Sequence, residues 1–151
     1  MSDRTVPLWQ LVQTAHLATR RFTEVFAAAG LTPAQYGVLA SLADGDDLSQ
    51  ADLARAVLVR PQSMGRLVAA MVAHGLVERA GPGGRGRRTG LEITPAGRAA
   101  LDRARPAAYA LNEPEALGLD ADRLAAFVET LAVIRARLSD SDSDSDDGEQ
   151  R

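Results

Sequence analysis

Apolar residues recur at helical spacing from the start of the chain. Leu8, Leu11, Val12, Ala15, Phe22, Val25, Phe26 and Ala29, with Thr19 in the same series, predict an amphipathic helix from about Pro7 to Ala29. Gly30 supplies its stop. Thr32-Pro33-Ala34-Gln35 reads as a capping box with proline at the first helical position, so a second helix starts at Pro33 and buries Tyr36, Leu39 and Leu42. It ends before the turn cluster Asp44-Gly45-Asp46-Asp47. Ser49-Gln50-Ala51-Asp52 is a second capping box, opening a short helix from Gln50 to about Val57. Leu58-Val59-Arg60 is a turn, and Pro61 opens a fourth helix whose buried stripe is Met64, Leu67, Val68 and Met71. His74 falls in its last turn and Gly75 ends it.

The period then changes. Leu76-Val77-Glu78-Arg79 and Leu91-Glu92-Ile93 alternate as short strands around the tip Gly81-Pro82-Gly83-Gly84-Arg85-Gly86-Arg87-Arg88. Thr94-Pro95 starts a fifth helix carrying Leu101, Ala104, Ala108 and Leu111, with a kink expected at Pro106. Asp120 caps a last helix with Leu124, Phe127, Val128, Leu131, Ile134 and Leu138 on one face. This order predicts a mainly α protein with a small β-hairpin: a winged helix-turn-helix at residues 31–94, flanked by helical segments at 1–30 and 95–138. The flanking stripes are longer than one protomer needs, which predicts a two-fold homodimer built on them, with Leu8, Leu11, Val12, Phe127, Leu131 and Ile134 at the seam.

Charge sharpens this picture. The chain's net charge is −3, yet Arg55 to Arg88 holds seven arginines and one acid, Glu78. Residues 139–151 carry six acids and one arginine, and without them 16 basic and 14 acidic side chains remain. This Ser/Asp stretch is expected to be a disordered acidic tail, because it has little apolar surface to bury. It could also compete with a polyanion for the basic surface. Every Lys/Arg-type side chain is arginine, whose fork binds phosphate or guanine bidentately. Arginines gathered on two adjacent elements suit a polyanion, since each one placed at a phosphate releases a condensed counterion.

In a helix-turn-helix the start of the second helix points at base edges in the major groove. Here that end offers Gln62, suited to adenine, Arg66, suited to guanine, and the small hydroxyl of Ser63. Arg60 flanks them at the backbone. Arg85, Arg87 and Arg88 are placed for the adjoining minor groove.

Several of these segments resemble the MarR (multiple antibiotic resistance regulator) family. They are Leu31-Thr32-Pro33-Ala34-Gln35-Tyr36, Val59-Arg60-Pro61-Gln62-Ser63-Met64, Gly75-Leu76-Val77-Glu78-Arg79 and Ile93-Thr94-Pro95-Ala96-Gly97-Arg98. The resemblance runs from about Leu8 to Leu138. It implies a dimeric winged-helix regulator of transcription on pseudo-palindromic operators, acting as a repressor released by a small aromatic or phenolic ligand. The family's wing carries Asp-x-Arg ahead of Leu-Thr; the frame here is Arg85-Gly86-Arg87 ahead of Ile93-Thr94. Arg87 matches the arginine of the minor groove, whereas Arg85 replaces the aspartate that would buttress the wing, so a mobile tip is expected. The resemblance also implies a ligand cleft near the dimer helices, where Trp9, His16 and Arg20 are candidates.

Other functions fit less well. A winged-helix module for protein interaction, without specific DNA binding, is the alternative. No nucleophile with its base, phosphate loop or metal-ligand spacing indicates an enzyme, and the glycines of the hairpin do not open a helix. No cofactor or metal is expected: the chain has no cysteine, and its two histidines, His16 and His74, lie far apart in sequence. His74 suits a helix C-terminus instead. Without a secretory leader or an apolar run of membrane length, a cytoplasmic location is expected.

Overall fold

The computed structural model describes residues 6–45, 48–80 and 88–143, with side chains described as far as Ser139. Its helices are α1 (Pro7–Ala27), α2 (Pro33–Asp44), α3 (Gln50–Ala56), α4 (Pro61–Ala73), α5 (Pro95–Ala110), α6 (Pro114–Leu117) and α7 (Ala121–Ser143). Strands β1 (Val77–Arg79) and β2 (Leu91–Ile93) lie between α4 and α5 and pair antiparallel, with Glu78 opposite Glu92. The described residues fall into two compact units, one as far as Ala108 and one from Tyr109 onward.

Local chemistry sets most of the boundaries. Thr32 accepts from the Gln35 amide while the Gln35 side chain accepts from the Thr32 amide, closing the box that starts α2. Ser49 and Asp52 do the same for α3. The Thr94 hydroxyl accepts from the Gly97 amide at 3.0 Å and caps α5. Asp120 accepts from the Arg123 amide at 2.8 Å and caps α7. The core of the first unit is aliphatic: Leu39 and Leu42 of α2, Leu53 of α3, Met71 of α4, Leu91 of β2 and Leu101 of α5 are fully buried. Two glycines allow close approach. A Cβ on Gly37 would lie 2.7 Å from Val57, and one on Gly97 would lie 2.0 Å from the Leu76 carbonyl oxygen.

Three expectations are revised. Tyr36 is half-buried, and Val38 takes the fully buried position beside Leu39. The short helix α6, between Pro114 and the left-handed Gly118, has no counterpart in the periodicity. Finally, α7 continues to Ser143, so residues 139–143 are helical, although composition assigned them to a disordered tail. A helix already nucleated gains one backbone bond for each added residue and needs no burial to extend. The rest of that tail, the hairpin tip and the mobility expected of each lie outside the described residues.

Candidate nucleic-acid interface

α4 has two faces. Met64, Val68 and Met71 are buried and fix its rotation, while Arg60, Gln62, Ser63 and Arg66 are exposed on the outward side. Pro61 occupies the first helical position, and the N-cap residue Arg60 places no side chain on the free amides. The positive end of the helix is therefore open to an anion. Among the described residues no acid pairs with Arg60 or Arg66.

The root of the hairpin is tied to the start of α3. Gln50 Nε2 donates to the Thr89 carbonyl at 3.1 Å, and Arg88 Nη1 stands 4.0 Å from Asp52 Oδ2. Thr89 is buried, and its hydroxyl accepts from the Leu91 amide. Asp52 is also bound by Ser49 and paired with Arg55. Hydrogen bonds from the Ser49 side chain and amide, then from Arg55, hold the Asp52 pKa down to about 2 from an ordinary 3.8. Of Arg85, Arg87 and Arg88, the structure places Arg88, which is exposed; Arg85 and Arg87 lie outside the described residues.

α1 exposes Leu8 (47%), Trp9 (49%) and Val12 (55%), with Leu11 half-buried. On α7, Phe127 is exposed, and Leu131 and Ile134 are half-buried. His16 and Arg20 share a shallow depression of about 250 Å³ with Thr19, Thr23 and Glu24; Trp9 does not line it. A larger cleft of about 550 Å³, lined by none of the expected ligand residues Trp9, His16 and Arg20, opens between α1, the start of α2 and the α3–α4 turn. Its aromatic wall is a stack, with Phe22 and Phe26 centred 5.6 Å apart and Phe26 and Tyr36 4.1 Å apart. Thr19 and Thr32 contribute hydroxyls, and Val57, Leu58 and Val59 close the far side. The sequence signal for it was the Phe22, Phe26 and Tyr36 series, which reads equally well as core.

The turn on that far side is unusual. Leu58 donates to the Arg55 carbonyl and Val59 to the Ala54 carbonyl, the pair of bonds that ends a helix through a left-handed residue. Glycine is the usual occupant, yet here it is Leu58, at φ 59°. That conformation costs a side chain about 1–2 kcal/mol. His74 behaves as a C-terminal residue of α4, its Nδ1 donating to the Ala70 carbonyl at 2.7 Å. Among the described residues no His, Cys, Asp or Glu cluster could hold a metal, and no helix is long and apolar enough to cross a membrane.

A capped helical pair, an outward-facing second helix and an adjoining antiparallel hairpin define the winged helix-turn-helix class. A family model described as MarR family matches residues 29–88. CouR, a transcriptional repressor solved with p-coumaroyl-CoA, superposes with a TM-score of 0.71 at 25% identity, over 90% of this chain and 96% of that one. A MarR family protein of Mycobacterium tuberculosis, solved with salicylic acid, gives 0.69 at 25% identity, over 89% and 99%. The M. tuberculosis regulator MosR, solved in complex with DNA, shares the fold with a TM-score of 0.62 at 23% identity, over 88% and 98%. Among curated proteins none matches the sequence. Residues 29–88 thus match the MarR family model, and the described fold is similar to that of winged-helix transcriptional regulators.

Proposed function

We propose that this protein is a homodimeric repressor that binds a pseudo-palindromic operator and releases it when a small aromatic ligand binds. The observation that carries the DNA reading is the outward face of α4. Gln62, Ser63 and Arg66 are exposed opposite a buried stripe, at an uncapped positive helix end, beside a hairpin whose root is tied to α3. α4 fills the major groove, with Gln62 and Arg66 on base edges and Arg60 on phosphate. Arg88, with Arg85 and Arg87 as the family resemblance implies, serves the neighbouring minor groove. The exposed apolar residues of α1 and of α7 supply the surface for a second copy, and two-fold pairing sets the half-sites about 10 bp apart. Residues 31–94 form the DNA-binding region in this reading, while 1–30 and 95–138 are dimerisation segments.

The aromatic-walled cleft is the ligand site this reading favours, being of the size that small-molecule sites have. His16 and Arg20 lie along α1 in the smaller depression, which shares Thr19 with this cleft. A ligand acts by binding better to a spacing of the two α4 helices that does not match successive grooves. CouR and the salicylate-bound mycobacterial relative support the ligand class, and the MosR complex supports the nucleic acid. The test is to recover genomic fragments on the purified protein, footprint them, and titrate salicylate against the complex. Two protected half-sites and ligand-dependent release are expected. No recovered fragment, together with capture by an acidic protein, would instead favour the protein-interaction module.

A further inference from the structure

Leu58 is the only non-glycine residue with a positive φ among the described residues, and at 93% exposure it is the most exposed of the large apolar side chains. Neither property helps the free protomer. The turn's two terminating bonds need only backbone, and glycine makes them without a Cβ in the way. Leu58 does have a place in the fold: it is one of the residues that line the aromatic cleft, together with Phe22 and Tyr36. Only Val59 and Arg60 separate it from the first residue of α4.

We infer that Leu58 is the ligand-sensing lip of the cleft: it folds over the apolar body of a bound aromatic molecule and passes occupancy to α4 through the two-residue turn. This rests on the cleft being the ligand site. It adds that the ligand has an apolar extension beyond its ring, because a lip that stands almost wholly in solvent gains burial only from a molecule that reaches out to it. The residue is already strained, so closing over a ligand alters the angle at which α3 hands the chain to α4.

The probe is anilinonaphthalene sulfonate, an aromatic anion with an apolar extension, titrated by fluorescence into the full chain. Leu58→Gly is expected to melt higher than the wild type, since it relieves the left-handed strain, and yet to bind the probe about tenfold more weakly. Leu58→Met keeps the reach and apolarity and is expected to retain affinity within about twofold. A residue that is merely structural would not raise stability and lower affinity together. Unchanged probe affinity in Leu58→Gly, with affinity lost in the cleft-wall variant Phe22→Ala, overturns the role of Leu58 and leaves the cleft standing. Unchanged affinity in both variants, or no binding by the wild type, overturns the cleft as well. A shift in the dimer dissociation constant of Leu58→Gly, with probe affinity unchanged, would show that a second copy covers Leu58 instead, and would also overturn the inference.

Discussion

Replacing Gly97 by alanine is expected to destabilise the protein strongly, although alanine is the better helix former. A Cβ there would stand 2.0 Å from the Leu76 oxygen and 2.9 Å from its carbonyl carbon, where ordinary contact begins at 3.4 Å. The obstacle is backbone and has little freedom to yield. The same oxygen accepts from the Thr94 amide at 3.2 Å and from the Thr94 hydroxyl at 3.1 Å, joining the end of α4 to the start of α5. Opening the gap by more than an ångström strains the packing by about 1–3 kcal/mol. It also weakens two hydrogen bonds worth about 0.5–1.5 kcal/mol each. Helix propensity returns about 1 kcal/mol. The net loss is therefore about 3 kcal/mol, or roughly 6–12 °C in Tm for a chain of this size at fixed protein concentration. Gly65, in α4, has nothing within 4 Å of its Cβ position, so Gly65→Ala is expected to raise stability by about 0.5–1 kcal/mol. Thermal melts and urea titrations of both variants test this pair. A Gly97→Ala protein as stable as the wild type would refute the close approach of α5 to the hairpin root.

Three further outcomes are expected. Arg66→Ala should change base preference at one operator position at a cost of about 1–3 kcal/mol, read by competition binding to single-base operator variants. Val12→Asp places a charge on the exposed apolar face of α1 and should shift the protein toward monomer in sedimentation, with operator affinity falling in parallel. Because folding lowers the Asp52 pKa from 3.8 to about 2, its contribution is complete above the unfolded value and is lost as the pH falls through the folded one. Between those two values, urea midpoints should therefore fall more steeply for the wild type than for Asp52→Asn.

The sequence made the helix starts legible because their chemistry is local. Thr32 with Gln35, Ser49 with Asp52, and proline at the first position of α2 and α4 each report on a few neighbouring residues. The outward face of α4 was legible too, since Met64, Val68 and Met71 fix its rotation at helical spacing. Features assembled from distant parts of the chain were not. The cleft needs Phe22, Tyr36 and Val57 brought together, and the hairpin root needs Gln50 to meet Thr89. Leu58 was hidden for another reason: Leu58-Val59-Arg60 contains no glycine to mark the left-handed position that its own bonds impose. α6 was too short to show a period, and the extension of α7 to Ser143 rests on backbone bonds to which composition is blind.

The most direct test of the central claim is the salt dependence of binding to a recovered genomic fragment, measured together with stoichiometry. Arginines of α4 and the hairpin acting on phosphate in both protomers should give a log Kd that rises linearly with log salt, with a slope of about 0.9 per phosphate contact, at two protomers per site. Affinity that does not respond to salt, or one protomer per site, would contradict it.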